Sequence, residues 1–176
     1  CDPITSVEGY GQAIVDDNVL LKKTGAARKE SFSRLRRLYG LNKEMLLFRV
    51  LRKLWDHGTD NQELLVLLYA IARDPILRTS ADLIIDTPVG TTLGAPDFSK
   101  AVESEFSGQL TIKTLASVGR NIASSWTQSG HLIGRSKKER VAVSSSPIVV
   151  TFALFLGYLA GIRGEKLFYS SWIKLL

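Results

Sequence analysis

Apolar residues recur at helical spacing through most of this chain, and the breaks between the runs carry residues that cap or stop helices. Phe32, Leu35, Leu38 and Tyr39 form one stripe, Arg34 and Arg37 share another face, and Gly40 predicts the end of that helix. Its start is expected around Thr24-Gly25. Asn42 is placed to cap the next helix, whose apolar positions are Met45, Phe48, Leu51, Leu54 and Trp55, with Gly58 as its stop. Asp60 and Glu63 have the spacing of a capping box that opens a third helix through Arg73. Asp74-Pro75 restarts the chain, because proline suits the first helical position and aspartate the cap before it.

The stretch DTPVGTTLGAPD at 86–97 carries two Pro and two Gly, so it is expected to be a loop and a domain boundary, separating 1–86 from 97–176. Beyond residue 110 the stripe Leu115, Val118, Ile122 and Trp126 predicts one helix, or two broken at Gly119. Lys113, Arg120, Asn121, Ser124 and Thr127 occupy its other face. Gly130 ends the element, and 131–133 and 141–143 are expected to be strands around a basic tip, 134–140. A helix, a Gly stop and a hairpin with a basic tip come in the order of a winged helix. The fold class expected is mainly α: an N-terminal helical domain plus a C-terminal winged-helix-like unit with a short β-hairpin.

The run Ile148–Ile162 is the one segment that invites a membrane assignment. It offers 15 uncharged residues, where a spanning helix needs roughly 20, and Arg163, Glu165 and Lys166 follow at once. It is expected to be a buried core helix. The 45% hydrophobic and 23% charged content is that of a globular chain and excludes general disorder. One cysteine, Cys1, excludes an internal disulfide framework and fits a reducing compartment. Cys1-Asp2 also matches the start of a mature lipoprotein, but no hydrophobic leader is in view, and a true N-terminus outside this sequence is the plainer expectation.

Charge changes the picture most. Between Lys22 and Lys53 stand eleven basic residues against Glu30 and Glu44, while the remainder holds twelve basic and fifteen acidic ones. From Leu54 to Leu110 the balance reverses, with nine acidic residues and three basic. The net charge of +6 is thus a concentrated patch, of the kind that attracts polyanions by releasing counterions. The candidate phosphate-holding residues are Lys22, Lys23, Arg28, Lys29, Arg34, Arg36 and Arg37, with Arg135, Lys137, Lys138 and Arg140 on the hairpin tip. Arg120, Asn121 and Ser124 are the candidate groove-facing residues. A solvated charged face is the competing account of both basic elements; the scarcity of local acidic partners weighs against it at 22–53, and the polar helix face beside the hairpin, with the basic patch upstream, weighs against it at the tip.

Catalytic and metal chemistry have no foothold. His57 and His131 lie far apart with no cysteine nearby, and each is expected to be a surface or turn histidine. GTTLG at 90–94 lacks the Lys-Ser/Thr of a phosphate loop, and there is no GxSxG elbow. No enzyme activity, cofactor or metal is expected.

Four stretches carry a resemblance: SFSRLRRLY at 31–39, RDPIL at 73–77, WTQSGHL at 126–132, and a terminal run with Phe152, Gly157, Arg163-Gly164, Leu167-Phe168 and Ser170, Ser171 and Trp172. In order and spacing the chain, from about residue 18 on, resembles the BrxA family of bacterial BREX phage-exclusion systems. The resemblance implies a mainly helical, non-enzymatic, cytoplasmic protein that binds double-stranded DNA, encoded beside a methyltransferase and ATP-dependent phage-defence proteins. It supplies no catalytic residues. Two other readings stand beside it: an adaptor docking on acidic protein partners of a defence complex, and a peripheral inner-membrane protein.

Overall fold

The computed structural model describes residues 6–57, 60–135 and 137–176. The protein is mainly helical with a small three-stranded antiparallel sheet. It forms two compact units, one ending at Asp56 and the other running from His57 to Leu176. The break therefore falls some thirty residues before the Pro/Gly-rich stretch expected to mark it, and 86–97 lies inside the second unit. Cys1-Asp2, the Gly58 stop and the hairpin position Ser136 lie outside the described residues.

In the first unit α1 (Val7–Gly11) continues into a π-helical turn, Gln12–Asp16, followed by α2 (Gly25–Tyr39) and α3 (Leu46–Trp55). Thr24 caps α2 by accepting from the Ala27 amide at 3.1 Å, and Gly40 ends it at φ +77°, a conformation costly to any side chain. Leu41 then turns into the core and Asn42 Oδ1 takes the Glu44 amide at 2.9 Å. That turn replaces the expected cap, and α3 opens four residues after Asn42, at Leu46, without a side-chain cap. Tyr10 meets Phe48 edge to face at 6.0 Å, which binds α1 to α3 over Ala13, Ile14 and Leu51.

The second unit is built on α4 (Gln62–Arg73), where every residue from Leu64 to Ile71 except Val66 is buried. The expected Asp60–Glu63 box is absent; Asn61 enters the helix at φ +61° with no side-chain cap, while the Asp60 carbonyl accepts from Ser146 Oγ at 3.4 Å. Asp74 does cap α5 (Pro75–Asp86), accepting from Ile76 N at 2.9 Å and Leu77 N at 3.3 Å. Then come β1 (Thr92–Leu93), α6 (Ala95–Glu105), α7 (Ile112–Gln128), β2 (Leu132–Ile133) and β3 (Lys138–Arg140), with sheet order β1-β3-β2. Thr92 pairs with Glu139, and Leu132 with Arg140. The third strand comes from the stretch that looked like a linker, and the second hairpin strand begins earlier than expected, at Lys138 in place of Val141. Gly134 at φ +105° follows β2 directly, so the hairpin turns back earlier than expected.

α7 is one helix through Gly119, which is buried because α6 crosses there: an added Cβ would run into the Ala95 carbonyl and the Ser99 hydroxyl. The apolar run forms α8 (Pro147–Leu159), packed on α4 through Val149, Phe152, Ala153 and Leu156. A 3₁₀ turn, Gly164–Tyr169, and α9 (Ser171–Lys174) close the chain. Among the described residues no single helix is long and apolar enough to cross a membrane.

Candidate nucleic-acid interface

On α2 the basic residues divide by direction. At about 100° per residue, Arg34 and Arg37 lie about 60° apart, whereas Arg36 is turned about 160° from Arg34 and lines up with Lys29. All four are exposed. Arg34 Nε meets Glu30 Oε1 at 2.6 Å in a solvent-exposed pair, which adds little stability. Arg36 instead borders a 360 Å³ cleft with Phe32, Glu8 and Asp16. The three arginines expected to act together thus present two faces, and one of them looks toward carboxylates.

Lys22 and Lys23 are exposed just before the helix. Arg28 is not available to a ligand in the same way. Its Nη1 donates to the Val15 carbonyl at 2.7 Å and the Asp16 carbonyl at 3.4 Å, holding the end of the π-helical turn against α2. The cation neutralises carbonyls that a helix end leaves without partners, so its role is structural.

In the second unit Lys113, Arg120, Asn121 and Ser124 are exposed on one side of α7, opposite buried Leu115, Ile122 and Trp126. Arg120 Nη2 donates to Ser117 Oγ at 2.9 Å. Of the hairpin residues, Arg135 and Lys137 are exposed at the tip. Lys138 is turned inward, its Nζ donating to Thr127 Oγ1 on α7 at 2.8 Å, and so fixes the hairpin to the helix. Arg140 is buried: Nε donates to the Ile84 carbonyl at 3.3 Å and Nη1 to the Val141 carbonyl. Arg140 therefore ties β3 to α5, and the expected phosphate contact at this position is corrected to a structural one. Burial lowers its pKa from the ordinary value.

His131, expected to be a surface or turn histidine, stands in the bend between α7 and β2 but not at the surface. It is fully buried, edge to face with Trp126 at 4.7 Å. Nε2 stands 2.8 Å from the Leu175 carbonyl, which can only accept, so Nε2 carries the proton and Nδ1 accepts from Ser129 Oγ at 2.8 Å. Burial pushes its pKa down to about 4; the Leu175 carbonyl opposes the shift and the Arg140 charge adds to it. Trp126 Nε1 donates to Ser80 Oγ at 2.7 Å, so α7 is fixed from both sides.

A stability prediction follows from His131. Between pH 6.5 and about 4 the unfolded chain protonates this ring while the folded one does not. Its contribution is intact above pH 6.5 and falls away as the pH drops, by about 3 kcal/mol once pH 4 is passed. Urea titrations across that range should show the loss in the original protein and a flatter profile in His131→Gln.

No cluster of His, Cys, Asp or Glu among the described residues is arranged to hold a metal. Sequence reasoning missed the inward turn of Arg28, Lys138 and Arg140, because their acceptors lie on other elements. It also missed the exposed apolar residues Leu21 and Ile112, 85% and 86% accessible beside basic neighbours. Compared with known proteins, the chain matches no family model, no curated protein and no solved structure.

Proposed function

We propose that this is a non-enzymatic DNA-binding protein of the bacterial cytoplasm, a component of a BREX-like phage-defence system, that grips duplex DNA mainly through its phosphates. The observation that carries the proposal is the connectivity of α5–β1–α6–α7–β2–β3 with sheet order β1-β3-β2. That is the order of a winged helix, with α7 as the groove helix and 134–137 as the wing tip. Lys113, Arg120, Asn121 and Ser124 then face the duplex, Arg135 and Lys137 touch adjacent backbone, and Lys22, Lys23, Arg34 and Arg37 add contacts from the first unit, while Lys29 shares the side of α2 that Arg36 occupies.

The adaptor reading draws on a different observation. From His57 onward twelve basic residues face ten acidic ones, and Glu103 and Glu105 are exposed at the end of α6 that leads into α7. Such a mixed surface suits a protein partner as well as a polyanion. The two separate in a salt titration with duplex DNA, single-stranded DNA and RNA. Duplex binding should weaken linearly in log–log form, with a slope of about −7 if each of the eight basic side chains assigned to the duplex holds a phosphate. Loss of all three nucleic acids at physiological salt, with a partner protein still co-purifying, would favour the adaptor.

A further inference from the structure

We infer that the loop Asn18–Lys23 is an apolar wedge for duplex DNA: Leu21 enters between adjacent base pairs while Lys22 and Lys23 hold the flanking phosphates. The inference rests on the duplex-binding proposal and adds to it a deformation of the DNA.

Three consecutive apolar side chains stand in solvent here, Val19, Leu20 and Leu21, exposed by 58%, 39% and 85%. Water disfavours this, and the backbone adds a second cost: Asn18 and Leu21 adopt φ of +53° and +51°, a region that leucine rarely enters. The exposure is nevertheless built in. Asn18 Oδ1 accepts from Lys22 N at 2.8 Å, its Nδ2 donates to the Lys22 carbonyl at 3.2 Å, and Leu21 N donates to the Asn18 carbonyl at 2.8 Å. At the other end Val19 N donates to the Ala13 carbonyl at 3.0 Å, anchoring the loop to a buried residue. These bonds fix the backbone of the loop in the conformation in which Leu21 is exposed.

The charges beside it select the partner. Lys22 and Lys23 follow at once and are exposed, and the first turn of α2 carries no acidic residue. Asp16 and Asp17 precede the loop, so a polyanion must be gripped from the lysine side. A base-pair step has the matching form, with apolar stacked faces inside and phosphates outside, and leucine is among the side chains that open such steps.

The test uses the full chain and a duplex of about 30 base pairs with 2-aminopurine at a central TA step, and donor and acceptor dyes at its ends. Binding should raise the aminopurine fluorescence severalfold and bring the ends closer. Leu21→Asn removes the wedge yet suits positive φ, so it should melt no lower than the original. It should keep duplex affinity within about tenfold, because the phosphate contacts remain, but give no fluorescence rise. A bound duplex that stays stacked, or a rise undiminished in Leu21→Asn, overturns the wedge alone and leaves the loop to a protein partner. Failure of the original protein to retain any duplex at low salt overturns the wedge and duplex binding together.

Discussion

Replacing Gly119 by alanine is expected to destabilise the second unit by about 3 kcal/mol, or about 10 °C in melting temperature. The sign is what makes the result informative. In an ordinary helix interior this change gains about 1 kcal/mol, because alanine restricts the unfolded chain and glycine does not. Here the new methyl meets the Ala95 carbonyl and the Ser99 hydroxyl, and Ser99 Oγ also donates to the Leu115 carbonyl at 3.0 Å across the same crossing. The two helices must separate, and that bond goes with them. Ser124→Ala, on the exposed side of α7, should leave the melting curve within about 0.5 kcal/mol.

Reversing Arg120, Arg135 and Lys137 to Glu is expected to lower duplex affinity by two to three decades at about 0.1 M salt and to flatten the salt slope by nearly three. These side chains are exposed on α7 and on the hairpin tip, which the Lys138–Thr127 bond holds in place. The same reversal at Arg34, Arg36 and Arg37 should cost less. Arg36 points away from the other two, so one DNA backbone can meet at most two of them and the slope should change by about two. Salt-titrated fluorescence anisotropy measures both. A slope unchanged by either triple variant would remove phosphate contact from the account of this protein.

Where structure was legible in the sequence, the signal was local. Thr24 and Gly40 bound α2, Asp74-Pro75 starts α5, and the apolar run at 148–162 forms a helix as far as Leu159, packed in the core up to Gly157 but exposed at Tyr158 and Leu159. Each depends on residues within a few turns of one another. The misplaced features depend on distant partners. The 86–97 stretch looked like a linker because nothing near it announces that Thr92 will pair with Glu139. His131 and Arg140 looked like surface residues because their acceptors, the Leu175 and Ile84 carbonyls, are far along the chain. Caps failed for another reason: asparagine can satisfy several backbone groups, and Asn42 took the Glu44 amide in place of a helix end. For the candidate interface, composition located the charge but not its direction, which follows from helix phase on α2 and from the inward hydrogen bonds of Lys138 and Arg140.

The sheet order also sets an order of assembly. Thr92 must find a partner 47 positions away, and closing so long a loop is costly unless the segment between is already compact. The α6–α7 pair, interlocked at Gly119, is that segment, so docking of its two helices is expected to precede the pairing of β1 with β3. The tip that carries Arg135 and Lys137 is closed by the local pairing of β2 with β3, Leu132 with Arg140, and needs no such long loop. The pairing of β1 with β3 is therefore what fastens that hairpin, with its basic tip, to the stretch before α6.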